Sequence, residues 1–201
     1  VMDILISGIG IIITSPIMLI IAIAVKAYDR GPVFYFQDRL TLGGKPFKIC
    51  KFRSMCVDSE KNGARLASKH DSRITPVGHV LRNLHLDELP QLFNVFKGDM
   101  SLVGPRPERE SIMLEYEKEL PEFYYRLKVK AGLTGYAQVY GKYNTTPYDK
   151  LKLDLFYIEN YSFLLDIKLI FMTVKIFFQK EVSEGVDDRQ VNEIGRASCR
   201  E

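Results

Sequence analysis

The sequence has 201 residues, of which 46% are hydrophobic and 26% are charged, and its formal net charge is +3 at pH 7. This length fits one domain, with or without an attached membrane element. The small net charge and the dispersed Lys and Arg residues do not favour a nucleic-acid partner. The three cysteines lack the spacing of a disulfide framework or a zinc site, which indicates free thiols in a reducing compartment.

An uncharged, apolar stretch runs from Ile4 to Val25. Its length matches the roughly 20 apolar residues that cross a bilayer, and no basic leader or cleavage site marks it as a signal peptide. Pro16 removes one intrahelical hydrogen bond and predicts a kink, while the hydroxyls of Thr14 and Ser15 can satisfy the freed carbonyls in lipid. The residues alone favour a simple transmembrane helix over a segment that dips in and returns, and over a buried core helix.

The basic residues Lys26 and Arg30 follow the apolar stretch. Positive charges beside a membrane segment favour the cytoplasmic side for the chain that follows. We therefore expect a membrane element over residues 1–27 and a cytoplasmic catalytic domain over residues 28–180. Residues 181–201 are polar and show no periodicity, and we expect a poorly ordered tail.

Short strands and helices are predicted within the cytoplasmic domain. Alternating apolar residues over 33–36 and 47–52, with two glycines between them, predict a β-hairpin. Helical spacing predicts three helices, over residues 108–120, 147–160 and 162–180. The last mixes charged residues into an apolar pattern, which is typical of a helix that lies in the membrane interface or packs on the domain. The fold class expected is α+β, mainly α-helical, with a small β-hairpin.

Two adjacent carboxylates, Asp87 and Glu88, precede apolar residues that recur at helical spacing from Leu89. An isolated Asp at the start of a helix most often caps it, because its oxygen accepts from orphan backbone N–H groups. The same position also suits a nucleophile, since a helix N-terminus favours the ionised carboxylate. A carboxylate of this kind can attack phosphorus and form an acyl phosphate.

Cations lie on both sides of this carboxylate pair in the sequence. Arg106 stands between two prolines, which makes it either a solvated side chain in a rigid turn or a fixed guanidinium fork for phosphate oxygens. Together with Lys51, Arg82 and, more weakly, Lys142, it predicts a site for a polyanion such as a diphosphate. The carboxylates would repel that anion unless a divalent metal bridged them, and Mg²⁺ suits hard oxygen ligands. The residues indicate phosphoryl-group chemistry at a membrane surface.

Four motifs occur in order: Lys51-Phe52-Arg53-Ser54-Met55, Leu86-Asp87-Glu88-Leu89-Pro90-Gln91, Lys97-Gly98-Asp99-Met100-Ser101 and Gly104-Pro105-Arg106-Pro107. They resemble the signature of the bacterial sugar transferases, which are monotopic polyprenyl-phosphate phosphoglycosyl transferases, and the similarity runs from about residue 1 to about residue 180. Enzymes of this family transfer a sugar 1-phosphate from a UDP-sugar to undecaprenyl phosphate and release UMP. The resemblance implies the same reaction and the same two substrates here.

The resemblance also implies a role for each matched residue. Asp87 would be the nucleophile of a ping-pong mechanism with a covalent phosphosugar-aspartyl intermediate, and Glu88 would assist with the lipid phosphate proton or the metal. Mg²⁺ would be required, with Asp87 and Glu88 as its protein ligands. Five further residues would line the phosphate and nucleotide site: Lys51, Arg82, Arg106, Lys142 and Asp166.

The resemblance changes the topology expected for the membrane segment. In this family a Ser-Pro kink, here Ser15-Pro16, makes a re-entrant helix-break-helix with both ends cytoplasmic, and the C-terminal amphipathic helices lie at the interface. We then expect a monotopic protein of the bacterial inner membrane that acts in the first membrane step of polysaccharide or glycoconjugate assembly. The sugar and any homo-oligomeric state stay open. The abrupt opening at Val1 suggests a piece of a longer protein.

Two other functions stay open at this point. The first is a membrane-bound, Mg²⁺-dependent phosphohydrolase that uses the same carboxylates and cations with water as the acceptor. The second is a non-catalytic monotopic membrane adaptor, in which Asp87 caps a helix and the arginines bind lipid headgroups.

Overall fold

The computed structural model describes residues 2–57, 59, 71–141 and 145–177 of the chain. Its helices are α1 (Met2–Asp29), α2 (Pro76–Asn83), α3 (Gln91–Lys97), α4 (Glu110–Glu119), α5 (Tyr136–Tyr140), α6 (Pro147–Glu159) and α7 (Phe163–Phe177). Its strands are β1 (Phe34–Leu40), β2 (Pro46–Phe52), β3 (Ser101–Val103) and β4 (Gly132–Thr134). Three 3₁₀ segments add Leu42–Gly44, Leu86–Glu88 and Pro121–Lys128. The mainly helical α+β class predicted from the sequence is confirmed.

The predicted β-hairpin is present and longer than expected. Strands β1 and β2 pair antiparallel, from Phe34 opposite Phe52 to Leu40 opposite Pro46. Gly43 and Gly44 connect them with φ angles of 68° and 75°. Glycine adopts this left-handed region without the clash that a Cβ would cause, so the turn depends on both residues.

A second, smaller sheet is formed by β3 and β4. The two strands pair in parallel, with Ser101 opposite Gly132 and Val103 opposite Thr134. A Cβ on Gly132 would lie 2.1 Å from the backbone nitrogen of Gly104, so the backbones approach more closely than any side chain allows. This contact holds the loop after β3 against β4.

Helix α1 is continuous from Met2 to Asp29, with Pro16 inside it. Because proline has no N–H, the carbonyl of Ile12 loses its usual partner, and the hydroxyl of Ser15 donates to it at 2.8 Å. Thr14 Oγ1 donates to the Gly10 carbonyl at 2.7 Å. The predicted use of the hydroxyl is confirmed for Ser15, whereas Thr14 bonds a carbonyl that Pro16 does not free. The helix continues through Ser15-Pro16. The re-entrant path through the membrane stays a prediction.

Both ends of α1 are bound to the domain that follows it. Near the first end, the Asp3 carboxylate accepts from the backbone N–H of Leu102 at 3.1 Å. At the other end, Asp29 Oδ2 accepts from Nη1 of Arg53 at 2.5 Å. At 1.5 Å per residue this 28-residue helix is about 42 Å long, so it lies along the domain over its whole length.

One face of α1 is buried against the domain and the rest is exposed and apolar. Met18, Ile21 and Val25 pack with Phe52 and Leu81 in one hydrophobic cluster. Ten large aliphatic side chains of α1 are exposed: Ile4, Leu5, Ile6, Ile9, Ile12, Ile13, Ile17, Leu19, Ile20 and Ile23. Helix α1 is the one helix in the described ranges that is long and apolar enough to cross a membrane. An exposed apolar surface of this extent is typical of a site that contacts a membrane or another protein.

The helices predicted at 108–120, 147–160 and 162–180 are observed as α4, α6 and α7. Helix α7 leaves several apolar side chains exposed at its surface: Phe163, Leu164, Phe171 and Val174. This pattern agrees with an amphipathic helix at an interface. The predicted tail over 181–201 lies outside the described residues.

Candidate active site

The two carboxylates lie in the 3₁₀ turn Leu86–Glu88, between α2 and α3. The turn begins after His85, whose φ of 52° is unusual for a residue other than glycine. Helix α3 begins only at Gln91. Asp87 therefore lies in the first turn of the 3₁₀ segment, and α3 begins one turn later than the spacing of the apolar residues indicated.

Helix α3 needs no side-chain cap because its first N–H groups already have backbone partners. The N–H of Leu92 donates to the carbonyl of Leu89 at 3.1 Å, and that of Phe93 donates to Pro90 at 3.0 Å. Pro90, at the cap position, makes no side-chain cap bond. Backbone carbonyls of the preceding turn thus accept from the N–H groups that a capping side chain would otherwise bind. The Asp87 carboxylate is not needed as a cap for α3.

Glu88 is held by two cations at once. Its Oε1 lies 2.7 Å from Nζ of Lys51 and 2.6 Å from Nη2 of Arg106, and its Oε2 lies 3.4 Å from Nη1 of Arg106. Burial alone would raise the pKa of Glu88, but the charges of Arg106 and Lys51 outweigh it and hold the pKa well below its usual range. Glu88 is therefore ionised, and both of its oxygens are occupied.

Asp87 is the opposite case. Its half-buried carboxylate forms no hydrogen bond or ion pair with any residue in the described ranges. Burial and the neighbouring charge of Glu88 raise the pKa of Asp87, and Lys51 and Arg82 oppose that rise. The pKa of Asp87 is thus raised by burial and by Glu88, and the causes of the shift do not include a helix N-terminus.

Arg82 approaches the same turn from α2. Thr75 caps this helix by accepting from the N–H of Gly78 at 2.9 Å. A Cβ on Gly78 would lie 1.9 Å from the carbonyl oxygen of Ser54, so α2 packs directly on the chain after β2. The hydroxyl of Ser54 in turn accepts from Nε of Arg82 at 2.9 Å and fixes its guanidinium.

The first motif, residues 51–54, joins the membrane helix to the carboxylate turn. Lys51 pairs with Glu88, and Phe52 packs into the cluster below α1. Arg53, which is only 7% exposed, pairs with Asp29 at the end of α1. Lys51 and Phe52 point to opposite faces because they are consecutive residues of β2, which ends at Phe52. The link between Arg53 and Asp29 was not anticipated from the sequence.

The remaining predicted site residues lie apart from this cluster or outside the described residues. Asp166 is buried on α7, where it accepts from the hydroxyl of Tyr157 at 2.8 Å. Burial raises the pKa of Asp166, and the Tyr157 hydrogen bond opposes the rise. Within the described ranges its hydrogen-bond partner is thus a core tyrosine rather than a site cation. Lys142 belongs to residues 142–144, which lie outside the described residues.

Sequence reasoning also passed over Gln91. Its side chain is 2% exposed, and its Nε2 has no hydrogen-bond partner among the described residues. It follows Asp87 by four residues along a nearly continuous helical path, a spacing that places two side chains on one face. An unpaired buried donor is rare in a folded protein, and it marks Gln91 as a candidate site residue. The sequence could not show this, because it does not reveal that the side chain is buried.

The carboxylates offer a restricted set of metal ligands. No group of three or more His, Cys, Asp or Glu side chains in the described ranges is arranged to hold a metal. Asp87 has free hard oxygens, whereas Glu88 would have to release Lys51 or Arg106 to coordinate. This set fits Mg²⁺, which commonly takes one or two protein carboxylates and completes its shell with waters and substrate phosphates.

Fold and site together define a membrane-associated α+β protein with a cation-lined carboxylate site. Comparison with known protein families adds the identity. The family model described as bacterial sugar transferase matches residues 1–180, and the chain belongs to this family. The resemblance carried by the four motifs is confirmed.

Several known proteins are similar over most of the chain. Over 177 residues it is 45% identical to UDP-N-acetylgalactosamine-undecaprenyl-phosphate N-acetylgalactosaminephosphotransferase of Aeromonas hydrophila, a match that covers 87% of this chain and 42% of the relative. It is also 45% identical over 177 residues to UDP-glucose:undecaprenyl-phosphate glucose-1-phosphate transferase of Klebsiella pneumoniae, covering 86% and 38%. The uncharacterized sugar transferase EpsL of Bacillus subtilis is 40% identical over 181 residues, covering 90% and 85%. The chain thus spans less than half the length of the first two relatives.

Proposed function

We propose that this protein transfers a sugar 1-phosphate from a UDP-sugar to undecaprenyl phosphate and releases UMP. The observation that carries the proposal is the pairing state of the two carboxylates, since Asp87 has no hydrogen-bond or ion-pair partner among the described residues and Glu88 is bound by Lys51 and Arg106. The names of the Aeromonas and Klebsiella relatives support the substrates. Because those two names specify different sugars, we leave the sugar unassigned.

In the proposed first step, a carboxylate oxygen of Asp87 attacks the phosphorus that carries the sugar. A bond forms between that oxygen and phosphorus, the bond from phosphorus to the bridging oxygen breaks, and UMP leaves with the bridging oxygen. In the second step a phosphate oxygen of undecaprenyl phosphate attacks the same phosphorus and restores the Asp87 carboxylate. The raised pKa of Asp87 suits this role, because a more basic carboxylate is a better nucleophile once ionised.

The proposed role of Glu88 is to hold the cations. Because its pKa lies well below the usual range, Glu88 is a poor proton acceptor near neutral pH. It orients Lys51 and Arg106, whose charges would stabilise the diphosphate as negative charge moves to the leaving UMP. Bound Mg²⁺ would supply further neutralisation of the diphosphate, and Asp87 is the described carboxylate with free oxygens to hold it.

We also propose that α1 enters and leaves the membrane on the same face. A helix that spans the bilayer carries its two ends to opposite faces. Here the Asp3 end is bonded to β3 and the Asp29 end to Arg53, and both partners belong to one domain. That arrangement supports the re-entrant path, with the catalytic domain on the cytoplasmic face beside Lys26 and Arg30.

The adaptor alternative loses its main support. It required Asp87 as a helix cap, and Asp87 makes no capping bond to α3. The phosphohydrolase alternative uses the same side chains, so only the acceptor separates it from the transferase.

The deciding experiment measures UMP release by the protein in nanodiscs with Mg²⁺ and a panel of UDP-sugars, with and without undecaprenyl phosphate. We expect about one UMP per protein without the acceptor and continuous release with it, as ping-pong kinetics requires. Asp87→Asn should abolish both phases. The matched control is Asp38→Asn, which changes a carboxylate whose side chain is 72% exposed on the hairpin and should leave both unchanged. Continuous release without the acceptor would identify the hydrolase instead, and activity that survives in Asp87→Asn would exclude the covalent mechanism.

A further inference from the structure

The loop that carries Arg106 is held by an unusual set of backbone hydrogen bonds. Four consecutive carbonyls each accept from a different residue. Gly132 N–H donates to Pro105 at 2.9 Å, Arg126 Nη2 to Arg106 at 3.0 Å, Arg39 Nη1 to Pro107 at 3.1 Å and Leu40 N–H to Glu108 at 3.0 Å. The donors come from β4, the Pro121–Lys128 segment and β1. The loop is therefore fixed from three directions.

Arg126 is the most deeply buried of these donors. Its side chain is 2% exposed. Asp154 of α6 balances its charge, with Oδ2 lying 3.0 Å from Nε and 2.8 Å from Nη2. A buried arginine is strongly unfavourable unless it is paired and hydrogen-bonded, so this geometry is the reason it can remain there.

Three more charged side chains complete the group around Arg126, which we call the buried clamp: Arg39, Glu108, Arg126, Lys150 and Asp154. Glu108 accepts from Lys150, and its carboxylate also lies 3.6 Å from Arg126 and 3.7 Å from Arg39. The clamp contains three cations and two carboxylates. Both carboxylates are paired with these cations.

The two flanking prolines do not by themselves orient Arg106. Proline fixes its own φ angle, and it restricts the residue before it to extended backbone. The ψ angle of Arg106 still has a range within that region, and the direction of its carbonyl reports that angle. The bond from Arg126 fixes the carbonyl and with it the backbone from which the Arg106 side chain reaches Glu88.

We propose that Arg126, balanced by Asp154, is a positioning residue for the reaction: it holds the Arg106 carbonyl and so aims the Arg106 guanidinium at Glu88 and at the diphosphate of the substrate. The inference rests on the proposed function, because it concerns the same site. It goes further by assigning a catalytic consequence to a buried ion pair that touches no substrate.

The test is a double-mutant cycle with Arg126→Lys and Arg106→Lys, read as kcat/KM for UMP release. Lysine keeps the charge at residue 126 but lacks the planar fork that serves Asp154 and the carbonyl together. Misplacement by about 1 Å commonly reduces rates by about 10²-fold, so we expect Arg126→Lys to lower kcat/KM about 10- to 100-fold. In the Arg106→Lys background the same change should lower kcat/KM by less than about 3-fold, because the effects of coupled substitutions are not additive.

The control for general destabilisation is Leu151→Ala, which removes a buried side chain one turn from Asp154 on α6. Assayed well below its unfolding temperature, this variant should keep kcat/KM within about 3-fold of wild type, because it touches none of the loop carbonyls. Additive effects of Arg126→Lys and Arg106→Lys, or an equal loss in Leu151→Ala, would overturn the proposal.

If Arg126→Lys does not yield folded protein, Arg39→Lys tests the same idea at the next carbonyl, Pro107, and must give the same non-additivity with Arg106→Lys. Failure of the proposed function is distinguishable, because it would appear as no UMP release by the wild type. An active wild type with additive variants would reject the positioning role alone.

Discussion

Two ionic clusters share one loop of this protein and differ in what they leave unpaired. The side chain of Arg106 belongs to the site cluster with Lys51 and Glu88, while its carbonyl is held by Arg126 of the buried clamp. Arg106 is 42% exposed, whereas Arg126 is 2% exposed. In the clamp both carboxylates are paired; in the site, Asp87 has no partner in the part of the chain that the structure describes.

This difference distinguishes charged side chains that stabilise the fold from charged side chains that are available for chemistry. Buried charges that are mutually paired satisfy one another and bind nothing further. At the site, two adjacent carboxylates have pKa shifts in opposite directions, since that of Glu88 is lowered by its cations and that of Asp87 is raised by burial and by Glu88. Carboxylates whose pKa values are pushed apart in this way commonly have distinct chemical roles.

The largest effect on stability should come from breaking the buried clamp. Asp154→Ala removes the carboxylate that hydrogen-bonds the buried Arg126 and leaves only the more distant Glu108 as its counter-charge among the described residues, and we expect a loss of about 3–5 kcal/mol in the free energy of unfolding. Chemical denaturation in detergent measures it. The double variant Arg126→Met with Asp154→Leu should recover most of the loss, because an apolar pair replaces the ion pair. A loss below about 1 kcal/mol in the single variant would show that the pair is not desolvated as described.

Glu88→Gln should act on activity more than on stability. It removes the charge that holds Lys51 and Arg106, and we expect UMP release to fall about 10- to 100-fold.

The pH dependence of the folding stability should also change in Glu88→Gln. Because the folded pKa of Glu88 is lowered, the stability it contributes is present above its ordinary pKa of 4.5 and is lost as pH falls towards the folded value. Acid unfolding curves of wild type and Glu88→Gln should therefore converge at low pH, and parallel curves would contradict the pKa assignment.

A smaller effect is expected at the end of α1. Arg53 lowers the pKa of Asp29 to about 2, so their pairing stabilises the fold above pH 3.8 and is lost as pH falls towards 2. Asp29→Asn should lower the unfolding free energy by about 1 kcal/mol at neutral pH. The exposed pair of Asp38 and Lys48 supplies the control, since Asp38→Asn should change it by less than about 0.5 kcal/mol. Equal effects of the two variants would mean that the Asp29 link is no more than a surface ion pair.

Much of the secondary structure was predictable because its causes are local. The hairpin turn at Gly43 and Gly44, the thirteen-residue helix α6 after Thr146 and the apolar stretch of α1 each follow from residues close in sequence. The sequence left open whether Asp87 caps a helix. Whether Asp87 caps α3 depends on where the helix begins, and the 3₁₀ turn before Gln91 moved that point by four residues.

The sequence by itself determined the membrane helix, the strand and helix pattern, the four motifs and the residue types that suit phosphoryl transfer, because periodicity and composition act over short distances. Only the tertiary structure decided which carboxylate is paired. Lys51 reaches Glu88 across 37 positions and Arg126 reaches the Arg106 carbonyl across 20, and burial of each group changes its pKa and its need for a partner. Such contacts depend on packing between distant segments, which no local pattern encodes.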